Sequence, residues 1–371
     1  MAQRGASAAP RLINFHHHLT APAYVKFLTG NKVRDFPNKS AAESVEVLEV
    51  GYVGSKGIHQ ANTASAVTYE LATAANPIWG VTTRTLANEQ ERANLLGFGA
   101  DNLLCSCTNG NTRFNSLQVT LRKQLSHGLM MQAAYTWSRA FSDFAGVNGM
   151  GAGMSNAPLF RSQDWGLNNG YRPQRLVINY NYNIPNGGAN GLLGKITGGW
   201  SVSGVTTIQD GTPLTVTDAL GGTIYGSPAS SRAEMAPGAT YASILTPGNV
   251  ENKLNNYLNA QAFSSVPAVN PNGSVTSQAA CPSCGTGWGN SGVGVALGPG
   301  QFNWDISLAK TTRVGGIRES GVLQFRAEFF NAFNHAQFGN PSTTLNQGPF
   351  GLITTTTVNP RLVQFALKYL F

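Results

Sequence analysis

Residues 361–371 read RLVQFALKYLF. In this run Val363, Phe365, Leu367, Tyr369 and Phe371 alternate with Leu362, Gln364, Ala366, Lys368 and Leu370. A strand turns successive side chains to opposite faces, so the odd positions make one wholly apolar face. The even positions carry an amide and an ammonium. Ten residues at about 3.3 Å each, tilted by roughly 45°, rise about 23 Å, close to the lipid-facing band of a transmembrane β-barrel. A soluble sandwich strand shares the alternation but runs to about five or six residues. Length, the aromatic end and the terminal position favour the membrane strand.

The pattern recurs along the chain. VEVLEVGYVGSKG sets Leu48, Val50 and Tyr52 against Glu49. In NSLQVTLRKQL, Leu117, Val119, Leu121 and Leu125 alternate with Gln118, Thr120, Arg122 and Gln124. Lys123 interrupts the apolar face near its end, where a lysine can snorkel to headgroups. SHG is a tight turn. LMMQAAYTWS, RLVINYNYNIP, WSVSGVTTIQ, FNWDISLAK and VLQFRAEFF continue the alternation, and the terminal run makes eight strands. Asn179, Asn181 and Asn183 share one face; asparagine suits a soluble sheet poorly but suits a wet lumen. The connections alternate in length: 58–113, SHG, 143–171, 185–199, 210–301, 313–321 and 331–360. Outer-membrane barrels have long extracellular loops and short periplasmic turns. Counted back from a periplasmic carboxy terminus, every long connection falls outside.

Composition agrees. Charged residues are 11% and hydrophobic residues 42%, with 43 glycines. Soluble domains carry roughly 25% charged residues. Few charges without long apolar runs fit strands that are half in lipid and half in water. No window of about 18 apolar residues suggests a transmembrane helix. The net charge of +8 comes from scattered Lys and Arg, so anionic lipid or solute at lumen and rim is the favoured partner and nucleic acid is not expected.

Other motifs have bland readings that weigh more. Cys105/Cys107 and Cys281/Cys284 lie in Gly/Asn/Ser-rich stretches that read as loops. They suggest loop disulfides in an oxidising compartment rather than zinc, with connectivity open. His16, His17 and His18 are adjacent and do not converge on one ion. Asp164-Trp165 and Asn303-Trp304-Asp305 could suit sugars or paired-carboxylate hydrolysis, yet the acids sit on separate connections and interfacial tryptophan explains the pattern. Ser126-His127 is a turn, since neighbours on a tight turn point apart. Asn88–Leu96 is a candidate short helix. Arg326 and Glu328 share one strand face and point into the lumen, where cross-strand pairing is expected. His335 reads as part of an ordered turn. No catalytic residues, cofactor or metal are assigned.

FNWDISLAK, LQFRAEFFNAFNHAQFGNP and FGLITTTTVNPRLVQFALKYLF resemble the carboxy-terminal barrel of TonB-dependent receptors of the Oar-like group. Members often carry a carboxypeptidase-regulatory-like domain ahead of the plug. LEVGYVGSKG, NSLQVTLRKQLSHGLMMQAAYTWSRAFSD and DWGLNNGYRPQRLVINYNYNIP are similar too. The resemblance runs from about residue 45 to the end. It implies an antiparallel transmembrane β-barrel in the outer membrane of a Gram-negative cell, in contact with lipid and lipopolysaccharide. It also implies solute uptake rather than catalysis, with the solute unidentified. The family has an export signal, a TonB box, a plug and about twenty-two strands. None of the first three is recognisable here, so the chain reads as a receptor's tail. TonB would be engaged only through amino-terminal parts. Residues 1–42 read as a poorly structured or non-native leader, and 43–371 as a partial barrel. Val363, Phe365, Leu367, Tyr369 and Phe371 are then the signal for the barrel-assembly machinery. The alternatives are a self-contained eight-stranded porin or adhesin, in which 45–53 must pair with 363–371, and a soluble β-sandwich that binds or hydrolyses carbohydrate.

Overall fold

The computed structural model describes residues 46–65, 67–99, 104–144, 164–186, 188, 191–225, 231–314 and 321–370. Residues 1–42 and Phe371 therefore lie outside the described residues. The long strands form one antiparallel sheet in chain order: β1 (Glu46–Ser65), β2 (Leu104–Ser126), β3 (Leu129–Ser142), β4 (Gln174–Asn183), β5 (Trp200–Gln209), β6 (Gln301–Arg313), β7 (Val322–Phe330) and β8 (Leu362–Leu370). Each is hydrogen-bonded to its neighbours in sequence, and β1 and β8 stand at the two ends of the sheet. Among the described residues β1 does not pair with β8, so the sheet is an open wall and not a closed eight-stranded barrel. The other sheets among the described residues are ladders of two or three short strands, too small to be the second layer of a sandwich.

One face parity runs through every register. Val50, Val119, Tyr135, Leu176, Ile208 and Phe302 form one apolar row across six strands. Val363, Phe329, Ile306, Gly204, Tyr180 and Met131 form another from the opposite end. Gly204 belongs in that row because Tyr180 lies across it. A Cβ there would come within 2.6 Å of the Tyr180 hydroxyl and 2.5 Å of the Asp305 carbonyl oxygen. Phe365 and Leu367 are 67% and 68% exposed. Full burial of such a side chain is worth roughly 1.5–3 kcal/mol, so a face of this kind calls for lipid.

At the periplasmic end, the turn at His127-Gly128 has positive φ at both residues (51° and 79°). That is the twist a two-residue hairpin demands. The turn between β4 and β5 contains α1 (Gly191–Thr197). Lys310 sits on the lipid face against the Trp200 ring, 4.7 Å from its centroid, and donates to the carbonyls of Ile196, in the last turn of the helix, and Gly198, just after it.

The structure corrects several expectations. The connection expected at 58–113 is strand at both of its ends: β1 reaches Ser65 and β2 begins at Leu104. The hairpin rises well past the lipid, with register shifts between Gly57, Gln60 and Asn62. Cys105 and Cys107 are consequently strand residues, opposite Ala64 and Asn62, and not loop residues. Their side chains lie outside the described residues. In place of a helix over 88–96 there is one 3-10 turn, Gln90–Arg92. The run from 210 to 300 is no irregular loop. It carries short ladders, such as Pro213–Leu214 with Ala296–Leu297, and Ala268–Val269 between Val275–Thr276 and Gly285–Thr286. Its own core holds Leu214, Val216, Ile244, Leu258 and Phe263, and Ile353 of the last loop completes it.

Candidate functional site

The polar face of the wall and the cap above it are what the fold offers for function. On the inward face Met130, Gln132, Asn179, Asn181, Ser203, Val205, Asp305, Ser307, Glu328 and Phe330 are among the residues lining a trough of about 490 Å³, whose exposed wall is more apolar than polar. Asparagine and serine supply donors and acceptors without fixed charge, as a wet lumen requires. A second hollow of about 270 Å³ lies between Gln324, Arg326, Glu328, Gln364, Ala366 and Lys368. Arg326 and Glu328 do face this side, but they pair with each other along β7 rather than across strands, Nη1 to Oε1 at 3.4 Å. An ion pair this exposed contributes about 0–1 kcal/mol.

The cap is bound together by buried polar links. Arg232 and Asp164 form an ion pair at 2.8 Å, with side chains 1% and 2% exposed, tying the β3–β4 loop to the β5–β6 segment. Burial lowers the Arg232 pKa, and the Asp164 charge opposes that shift. Arg92, also fully buried, donates to the carbonyls of Glu70 and Ile224 at 2.7 and 2.8 Å, which attaches the β1–β2 connection to the same body. Beside it Tyr225 stacks on Trp288 with centroids 3.7 Å apart, and burial raises the phenol pKa. Tyr257, pushed up to about 12 by burial, donates to the Leu297 carbonyl at 2.9 Å. Asp218 accepts from the Val266 and Leu220 amides and from Asn346 Nδ2.

The segment FFNAFNHAQFGNP has a structural task. β7 stops at Phe330, which leaves the outer end of β6 without a strand on that side. Ala332 donates to the Trp304 carbonyl at 2.8 Å. Asn331, at φ 49°, donates its N–H to Asp305 Oδ1 and its amide to the carbonyls of His335 and Asn359. Gln337 covers the next rung. His335 accordingly sits in an ordered turn, donating its N–H to Asn331 Oδ1 at 3.0 Å, with Nε2 3.7 Å from Glu251.

Asp164 is consumed by Arg232, and Asp305 by Asn303 and Asn331. Cys281 and Cys284 are joined by a disulfide with Cα atoms 5.3 Å apart. Among the described residues no group of three or more His, Cys, Asp or Glu could hold a metal ion. Of the terminal residues, Val363, Phe365, Leu367 and Tyr369 share one face of β8, as their spacing requires. Sequence reasoning missed Arg92, Arg232, Tyr257 and Gln337, whose roles depend on partners far along the chain.

A greasy outer face, an inner face that carries the polar residues, short turns at one end and a cap at the other define an outer-membrane β-barrel wall. A family described as outer membrane beta barrel domain matches residues 42–364. The chain belongs to that family, and its place is the cell outer membrane. Among solved structures it is similar to the outer membrane transporter YddB from Escherichia coli, at 9% identity and a TM-score of 0.37, over 89% of this chain and 31% of that one. It is also similar to BauA, the ferric preacinetobactin receptor from Acinetobacter baumannii, at 9% identity and a TM-score of 0.34, over 89% and 28%. The chain thus spans under a third of either structure. No curated protein matches the sequence.

Proposed function

We propose that the chain supplies wall and extracellular cap to a TonB-dependent receptor of the Oar-like group, which takes up a solute without chemically altering it. The observation that carries this reading is the open sheet: eight strands with a consistent inside and outside, whose end strands β1 and β8 do not meet. A wall of this kind needs further strands to close, because an open edge has no place in lipid. In that assembly the inner trough faces a plug, and the cap contacts solute from outside. TonB acts through amino-terminal parts, and the apolar face of β8 is read by the barrel-assembly machinery.

The test is to place cysteines at Gly51 and Ala366 in native outer membranes and add an oxidant. No intrachain crosslink is expected between the two ends of the sheet. Efficient crosslinking would replace this reading with the self-contained porin or adhesin. Uptake assays with and without TonB then separate a coupled receptor from passive wall.

A further inference from the structure

The outward face of β1–β3 changes character at its extracellular end. Tyr52, Leu117 and Trp137 make the last apolar row. The next row holds Gly54, Asn115 and Arg139, and the one beyond it Lys56, Arg113 and Phe141. Lys56, Arg113 and Arg139 are all exposed. Trp165, from the loop before β4, stacks on Phe141 with centroids 5.9 Å apart and planes 7° from parallel. Arg113, Asn115, Trp137, Arg139, Phe141 and Trp165 together line a cleft of about 390 Å³. The Tyr52 hydroxyl donates to Asn115 Oδ1 at 2.7 Å, so the amide nitrogen remains as a further donor on this face.

Two properties identify the occupant. The first is charge: among the described residues no carboxylate lies within ion-pair distance of the three cations. Asp143, higher on the same side, is engaged by the backbone and side-chain amides of Asn111, both at 2.7 Å. The second is height. Arg139 stands about eleven residues above the Gly128 turn, a rise of about 26 Å at roughly 45° tilt, against an apolar band of about 25 Å. The cations therefore lie in the outer headgroup layer, directly above lipid-facing Trp137. Guanidinium forks favour phosphate oxygens, and exposed indoles suit the boundary between acyl chain and sugar.

We propose that this cleft docks the phosphorylated saccharide head of an outer-leaflet glycolipid, the lipid A part of lipopolysaccharide. Arg113, Arg139 and Lys56 take the phosphate, and the acyl chains run down past Trp137. The inference rests on the outer-membrane location and strand orientation, and it stands whether or not the chain belongs to a TonB-coupled receptor.

The test uses the full chain folded in a neutral detergent and titrated with bisphosphorylated lipid A, its dephosphorylated form, phosphatidylglycerol and inorganic phosphate, read by native mass spectrometry. Saturable binding of bisphosphorylated lipid A is expected, with at least tenfold weaker binding of the dephosphorylated form and no competition by millimolar phosphate. Arg113→Ala with Arg139→Ala should weaken it at least fivefold, while the Arg→Lys pair keeps most of it. Lys195→Ala on the periplasmic helix serves as a control, and a heat-modifiable gel shift verifies that each variant is folded. Equal binding by the folded double-alanine variant, equal affinity for phosphatidylglycerol, or full competition by phosphate overturns the proposal.

Discussion

The side-chain amide of Gln337 hydrogen-bonds to both the N–H and the C=O of Phe302, at 2.6 Å each. It does there what a neighbouring strand would do, at the rung of β6 that β7 has left. Its own carbonyl accepts from the Thr357 N–H at 2.7 Å, so the last loop is laid against the sheet edge through one residue. Gln337 is 1% exposed, and its amide nitrogen also lies 2.9 Å from His335 Nδ1.

Gln337→Leu should therefore destabilise the cap by about 2–3 kcal/mol, since two buried backbone groups lose partners. Hydrogen exchange at the Phe302 amide checks it directly. Exchange as slow as in the parent protein would mean that the amide is dispensable.

Removing one member of the buried pair should cost more than removing both. Arg232→Met or Asp164→Asn alone is expected to lower stability by about 3–5 kcal/mol, because a buried charge loses its counter-ion. The double replacement should recover most of that. Limited proteolysis of the cap in folded protein reports the order, and a double variant worse than either single contradicts it.

Tyr257 gives the cap an alkaline limit. Its folded pKa is about 12 against an ordinary value of 10. The unfolded chain therefore ionises first as pH rises. The stabilisation is whole below pH 10, falls between pH 10 and 12, and amounts to about 2–3 kcal/mol in total. Tyr257→Phe should flatten this part of the pH–stability curve while losing the Leu297 hydrogen bond at every pH. Absorbance at 295 nm across an alkaline titration gives the pKa.

The two faces of β8 should respond in opposite ways to charge. Leu367→Arg, on the lipid face, is expected to make insertion less favourable by about 2–4 kcal/mol if the site lies near the bilayer midplane. Gln364→Arg, on the inward face beside Glu328, should be tolerated. Folded fraction by heat-modifiable gel shift separates them, and equal losses would place β8 outside the bilayer.

Strand existence and face were legible because lipid on one side and water on the other leave a period-two pattern in every strand. Val363, Phe365, Leu367 and Tyr369 can be assigned by inspection, and so can Asn179 and Asn181 on the wet side. Strand ends were not legible. β1 and β2 continue past the alternating stretch, where Gln60 in β1 and the consecutive Thr108 and Asn109 in β2 leave no apolar face. The cap was least legible of all. Its residues have the glycine, proline and serine content of a loop, and its core is assembled from single residues, Val216, Ile244, Phe263 and Ile353, scattered over more than a hundred positions. No window can display that. FFNAFNHAQFGNP stood out as a string, but its purpose depends on where β7 stops.

Ile353 and Phe350 pack with residues from the β5–β6 segment although they precede only the last strand. The cap hence cannot finish its interior until the β7–β8 loop has been set beside the β5–β6 segment. Until then Leu214, Val216 and Phe263 lack part of their apolar cover. Consolidation of this surface therefore waits on a segment more than a hundred residues downstream of Leu214 and Val216.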